Sequence, residues 1–237
     1  MSSDIFTFKR IEKKYLLTEE QKSAVLEKIS TRMRADEHGK STVMSLYLDT
    51  PDFLIIRNSI EAKVYKEKLR LRSYGTPCGT DKVFLELKKK YKGVVYKRRV
   101  SMSLNDAYAY INGERTAPDT QIMHEINAAM NFYGNPKPAA VIAYEREAYF
   151  SDAAPDFRIT FDSSIRYRFD GLRLDIGSTG RQALPEGMLI MEIKTGGGMP
   201  LWMSDVLDEL HIYPTSFSKY GTAYKTMLAE EKEPKYA

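Results

Sequence analysis

Residues 68–75 read Lys68-Leu69-Arg70-Leu71-Arg72-Ser73-Tyr74-Gly75. Side chains alternate faces along a β-strand, so Lys68, Arg70 and Arg72 share one side and Leu69 and Leu71 the other. The same division recurs in segments far apart in the chain. Glu86, Lys88 and Lys90 lie opposite Leu85 and Leu87, and Lys97 shares a side with Arg99. Arg10, Glu12 and Lys14 lie opposite Ile11, and Arg146 sits among Tyr144 and Ala148. Arg158, Thr160 and Asp162 oppose Ile159 and Phe161, while Glu192 and Lys194 oppose Ile193.

A wet face of an antiparallel sheet also carries charge, and for any single strand that explanation suffices. Solvated faces, however, mix acids and bases to limit like-charge repulsion across strands. Here the polar faces are mostly cationic, and the acids on them stand singly along each strand. The set therefore favours a polyanion site. Arg-x-Arg pairs match the fork geometry of phosphate oxygens, and isolated Glu residues among cations suit a divalent ion bridging phosphates. Condensed phosphate or a nucleoside triphosphate is the indicated ligand.

Other classes are excluded or disfavoured. No GxxxxGK[ST] run is present, so there is no P-loop. His38, His124 and His211 lack HExxH spacing, and Cys78 is a lone thiol in a turn-like run with no partner for a disulfide or zinc cluster. Tyr is abundant at 16 copies, but no RNP-like motif or groove-entering basic helix accompanies it, so nucleic acid is not expected. The 237 residues, 43% hydrophobic and 29% charged, describe a globular chain large enough for a proper core. No apolar run reaches the roughly 20 residues that span a bilayer. The start, Met1-Ser2-Ser3-Asp4, has no signal-peptide pattern, so the expected setting is cytoplasmic, with no direct membrane insertion.

Strands are predicted over 8–16, 43–49, 65–74, 82–91, 94–102, 140–150, 157–162 and 188–194, with short ones near 165–169 and 172–176. Lys92-Gly93 marks a tight hairpin. Helices are predicted from a capping box at Thr18…Gln21 to about Ser30, and over 52–61, 104–111, 120–132, 200–210 and 218–229. Val25, Leu26 and Ile29 face inward in the first, and Phe53, Leu54, Ile55 and Ile56 in the second. Residues 35–40 read as a loop and 230–237 as a frayed tail. With no repeat or linker, residues 1–237 form one α+β domain.

The ordered set Arg10-Ile11-Glu12-Lys13-Lys14-Tyr15, Lys68 to Gly75, Phe84-Leu85-Glu86-Leu87-Lys88, Tyr96-Lys97-Arg98-Arg99, Tyr144-Glu145-Arg146, Phe157 to Asp162, Met191-Glu192-Ile193-Lys194 and Ser216-Phe217-Ser218-Lys219-Tyr220 resembles the VTC (vacuolar transporter chaperone) domain of the triphosphate tunnel metalloenzymes. The resemblance spans almost the whole chain. It implies a closed antiparallel β-barrel tunnel of about eight strands with helices packed outside. It also implies a tunnel that binds ATP, triphosphate or polyphosphate with Mn²⁺ or Mg²⁺. In members with polymerase activity the γ-phosphate of ATP passes to a polyphosphate chain.

Carried over by motif, Lys14, Arg70, Arg72, Lys88, Lys97, Arg146, Arg158 and Lys219 would contact phosphates, and Ser218 would add a hydroxyl. Arg10, Lys68 and Arg99 join the phosphate-binding set from the same faces, and Lys194 joins the catalytic set in the same lumen. Glu192 would hold the metal. The wider superfamily opens with Glu-x-Glu-x-Lys, and here Arg10 replaces the first acid. Glu12 is then either a second metal ligand or the partner of a neighbouring cation. The alternatives to a polymerase are an inorganic triphosphatase of the same fold and a non-catalytic polyphosphate-binding sensor. A membrane-protein partner would be needed for any transport of product.

Overall fold

The computed structural model describes residues 11–232 except Gly93 and Ala117. Arg10 and the start of the first predicted strand, Gly93 of the predicted hairpin and the last five residues lie outside that range.

The chain alternates hairpins with helices. In order it forms β1 (Ile11–Thr18), α1 (Glu19–Ile29), β2 (Arg34–Asp49), α2 (Leu54–Glu61), β3 (Tyr65–Tyr74), β4 (Lys82–Tyr91) and β5 (Val94–Ser103). There follow α3 (Leu104–Asn112), α4 (Gln121–Phe132), β6 (Lys137–Phe150), β7 (Arg158–Arg168), β8 (Arg181–Gln182), β9 (Met188–Thr195), α5 (Leu201–Glu209), β10 (Pro214–Thr215) and α6 (Lys219–Lys232). Local chemistry sets several boundaries. Thr18 and Gln21 cap α1 reciprocally, as their spacing predicts. Ser103 and Thr120 accept the N3 amides of α3 and α4.

All strands join one antiparallel sheet in the order β10-β1-β9-β7-β6-β2-β3-β4-β5, with β8 on β7. The expected closed barrel of about eight strands is therefore corrected. The sheet has ten strands, and no hydrogen-bonded ladder joins β5 to β1 among the described residues. Side chains span the interval instead: Lys88 of β4 donates to Glu12 Oε2 of β1 at 3.4 Å. Alternation specifies which face each residue occupies but not which two edges meet, so the periodicity carries no signal for closure.

The curled sheet has one concave face, and its outer face carries two cores. Leu46, Leu48, Leu69, Leu71, Leu85 and Leu87 pack under α3 and α4. Leu17, Ile159, Phe161, Leu189, Met191 and Ile193 pack with α1 and α5, where Trp202 meets Phe157 edge-on. The third core lies on the concave face, where Val43, Tyr47, Ile142, Tyr144, Ile165, Tyr167 and Ile190 meet Ile56, Tyr220, Ala223 and Tyr224. Thus α1, α3, α4 and α5 lie outside as expected, but α2 and α6 pack against the inner face at one end. A bulge makes this arrangement possible. The β6–β7 register slips between Ala143 and Glu145, and Ser164 adopts φ 48°. Asp162 and Ile165, odd-spaced in sequence, then face the same side.

Other expectations need adjustment. Residues 35–40 belong to β2, paired with β6 on either side of a register shift. The 157–162 and 165–169 segments are one strand, β7. Residues 172–176 form no strand, because Arg168 gathers the carbonyls of Gly171, Arg173, Gly177 and Thr179 into a compact loop. Leu54 is exposed at the first turn of α2, while Ile55 and Ile56 are buried. The tail is helical to Lys232, and Glu230 pairs with Arg181. No described helix is long and apolar enough to cross a membrane.

Candidate functional site

Cross-strand register aligns the cations into rows. One row runs Tyr47–Arg70–Glu86–Arg99 across β2, β3, β4 and β5, and the next runs Lys68–Lys88–Lys97. On the opposite wall, Glu12–Lys194–Arg158 and Lys14–Glu192–Thr160 cross β1, β9 and β7. These walls enclose a cavity of about 1270 Å³ bordered by Glu12, Arg70, Arg72, Lys88, Lys97, Arg146, Arg158, Thr160 and Lys194. Ammonium and guanidinium groups predicted from distant segments therefore converge on one space.

The remaining predicted residues stand behind that lining. Lys14 donates to the Phe217 carbonyl at 2.9 Å, and Lys68 donates to Ser218 Oγ at 2.8 Å, so both reach the segment that begins α6. Lys219 is buried between Asp162 and Glu192, with its Nζ 3.3 Å from Glu192 Oε1. Arg99 lies over the Phe84 ring at 3.6 Å and donates to Tyr74 OH at 2.9 Å. Arg158, half exposed at the mouth, donates to Asp36 at 2.9 Å. It also borders, with Lys194, a smaller cavity of about 390 Å³ beside Asp152 and Asp156.

The acids are isolated only along their own strands; in space each is ringed by cations. Glu192 lies within 3.2–3.7 Å of Lys14, Arg146, Lys194 and Lys219. Asp162, fully buried, takes both Arg146 nitrogens at 2.6 and 2.7 Å together with Lys219. Glu86, also fully buried, faces Arg70, Arg72, Lys97 and Arg99. Asp162 and Glu86 carried no expected role. Their place on cation-bearing strand faces was the available signal. Tyr47 and Tyr144, which accept from Arg70 and Arg72 at 3.2 Å, left no comparable signal.

Electrostatics follow from this crowding. Burial works to raise the carboxyls, yet Lys88 with Lys14 and Lys194 holds Glu12 at about 2. Arg70, Arg72 and Lys97 likewise hold Glu86 at about 2, and Lys219 and its neighbours keep Glu192 well below the usual carboxylate range. Burial would raise the Tyr47 phenol, but Arg70, Lys68 and Arg72 bring it down to about 7. Burial pushes Lys68 and Lys97 down to about 8, with further repulsion from neighbouring cations.

A pH dependence follows. Metal-free affinity for tripolyphosphate should fall from about pH 7 upward, as Tyr47 ionises and then Lys68 and Lys97 lose their protons. The unliganded protein should behave oppositely. Between pH 8 and the ordinary lysine range the unfolded chain binds more protons than the folded one, so its stability rises with pH. Calorimetry and thermal midpoints on one buffer series would check both signs. Equal affinity at pH 7 and pH 9.5 would refute the first.

No group of three or more His, Cys, Asp or Glu side chains converges among the described residues. Glu12 and Glu192 both lie beside the Lys14 ammonium, at 3.5 and 3.7 Å. The Thr160 hydroxyl, buried opposite Glu192, has no hydrogen-bond partner. Mg²⁺ and ions like it commonly use one or two carboxylates plus substrate phosphates. This donor set fits an ion that arrives on a phosphate, and does not form a cage of protein oxygens alone.

The VTC domain profile matches residues 9–228. Among solved structures, a Bacillus halodurans protein provisionally named an adenylate cyclase superposes with a TM-score of 0.56 at 12% identity, covering 89% of this chain and 95% of that one. A Hippeastrum protein, provisionally named an adenylyl cyclase and described as having a dominant triphosphatase activity, superposes with a TM-score of 0.49 at 12% identity, covering 92% and 95%. A Pyrococcus horikoshii protein does so at 0.49 and 15%, covering 94% and 99%. The first of these shows a shared fold and nothing beyond it. No curated protein matches the chain.

Proposed function

Because the chain belongs to the VTC domain family, we propose that it is a polyphosphate polymerase-type phosphotransferase, taking ATP and a polyphosphate chain in the cationic cavity. One observation carries the reading: cations from six strands converge on one cavity, while Glu12, Glu86 and Glu192 in its walls are held ionised by neighbouring cations. A carboxylate able to take a proton would help activate water for hydrolysis, and a carboxylate held this far below the usual range is a poor base. Transfer to a phosphate acceptor needs none, because the attacking oxygen is already deprotonated near neutral pH.

In the proposed reaction a terminal oxygen of the chain bonds to the γ-phosphorus of ATP, the bond from that phosphorus to the β–γ bridging oxygen breaks, and ADP leaves. Arg70, Arg72, Lys88 and Lys97 on one wall, and Arg146, Arg158 and Lys194 on the other, bind the phosphates and align donor with acceptor. Lys14, Lys68, Arg99, Ser218 and Lys219 complete the phosphate-binding set, and Arg10 belongs to it by motif. The described members of the set stand on strands or at a helix start, so they need little reorganisation as charge shifts. A bound Mn²⁺ or Mg²⁺ would neutralise phosphate oxygens, with Glu192 and Glu12 as its protein ligands. The whole chain acts as one tunnel domain, and ATP as donor fits a cytoplasmic setting.

Incubating the protein with ATP, Mn²⁺ or Mg²⁺ and a short polyphosphate primer, then resolving products on a gel, tests this. Chains longer than the primer are expected. Phosphate release from tripolyphosphate without lengthening would make the protein a triphosphatase, and tight salt-sensitive binding without turnover would make it a sensor.

A further inference from the structure

The fully buried carboxylate of Glu86 is an anion placed where an anion-binding wall has least reason to hold one. It occupies the middle of the Tyr47–Arg70–Glu86–Arg99 row, directly between two arginines. Its Oε2 takes Arg70 Nε at 2.8 Å and Arg70 Nη2 at 2.7 Å, and lies 4.0 Å from Arg72. Its Oε1 lies 2.7 Å from Lys97 Nζ and 3.0 Å from Arg99 Nε. The carboxylate thus lies within 4.0 Å of four cations, of which Arg70, Arg72 and Lys97 border the cavity; Oε1 makes close ion contacts but no aligned hydrogen bond.

With the carboxylate in place, Arg70 has its Nε–Nη2 edge fixed, and its Nη1 is left to Tyr47 OH at 3.2 Å. Arg99 is pinned between Glu86, Tyr74 and the face of Phe84. Without it, four like charges would face one another across adjacent strands. The carboxylate therefore does in the empty protein what two phosphate oxygens do in the filled one. It also subtracts one charge from the wall that an incoming polyanion meets.

We propose that Glu86 is a positioning residue that serves as the built-in counter-anion of Arg70, Arg72, Lys97 and Arg99, aiming them and limiting how tightly that wall holds condensed phosphate. The ligand class rests on the functional reading above. A limit on affinity matters for a processive or releasing enzyme, because the product carries more charge than the substrate and would otherwise be the tightest ligand.

The test is metal-free calorimetry of tripolyphosphate at several salt concentrations on wild type, E86Q and E86D. Thermal midpoints are recorded alongside, with and without sulfate. E86Q should bind at least about tenfold more tightly at low salt and lose affinity more steeply as salt rises. Its unliganded midpoint should fall by about 10 °C, and sulfate should recover much of that loss in E86Q but little in wild type. E86D keeps the charge and should keep the wild-type salt dependence. A merely structural Glu86 would give E86Q unchanged or weaker binding with the wild-type salt slope, which overturns the proposal. Should E86Q be unfolded in dilute buffer, refolding in sulfate supports the proposal and failure to refold overturns it. Binding by wild type with no gain in E86Q sinks this inference alone. A wild type that binds no tripolyphosphate sinks the functional reading as well.

Discussion

Glu192→Gln is expected to lower metal-dependent turnover of ATP by at least about a hundredfold, while leaving metal-free tripolyphosphate binding intact or tighter. The two readouts separate because Glu192 has two sets of neighbours. Lys14, Arg146, Lys194 and Lys219 surround it in the unliganded protein, all within 3.7 Å. Removing its charge leaves that wall more positive, which favours a bare polyanion. In the proposed reaction the same change also removes a carboxylate ligand of the metal ion carried on the phosphates, with Glu12 left beside Lys14 and Lys88. Initial rates with Mn²⁺ or Mg²⁺, set against metal-free calorimetry, would check both halves. Turnover within about threefold of wild type would remove Glu192 from any metal-binding role.

Asp162→Asn should produce a large loss of stability from a single atom exchange behind the cavity wall. Asp162 has no solvent exposure and holds Arg146 through two parallel hydrogen bonds at 2.6 and 2.7 Å. Lys219, nearly as enclosed, depends on it as well. Breaking a buried ion network by removing one partner typically costs about 3–5 kcal/mol. Arg146 and Lys219 both retain Glu192, so the lower end of that range applies. Urea denaturation without ligand should show the loss, and tripolyphosphate should restore part of it by binding only the folded state. A loss below about 1 kcal/mol would mean that Glu192 alone anchors the two cations.

Much of this architecture was written in two-residue alternation. The boundaries of β3 and β4 match those predicted at both ends, and Arg70, Arg72 and Lys88 on them border one cavity, because each strand buries leucines on one side and has nowhere else to put these cations. The Thr18 capping box was equally local. What escaped was relational. Closure of the sheet depends on which edges meet, and the inner placement of α2 and α6 depends on a bulge at Ser164 that changes the face of Ile165 and Tyr167. Residues 35–40, polar and containing Gly39, read as a loop, yet Arg34, Ala35 and Lys40 pair with β6 around a register shift. The acids were the hardest to interpret. Alternation put Glu86 and Asp162 on the right face, but only their cross-strand neighbours reveal that each serves several cations at once.

The strict alternation of β3 also determines which length changes the gene can absorb. Inserting or deleting one codon inside Tyr65–Tyr74 would rotate the remainder of the ribbon by half a turn, swapping leucines for arginines at every later position. Two-codon changes would preserve that parity and shift only which rung faces which. Segments without such parity, such as the connection between α3 and α4, are where homologues of different length should accumulate their gaps.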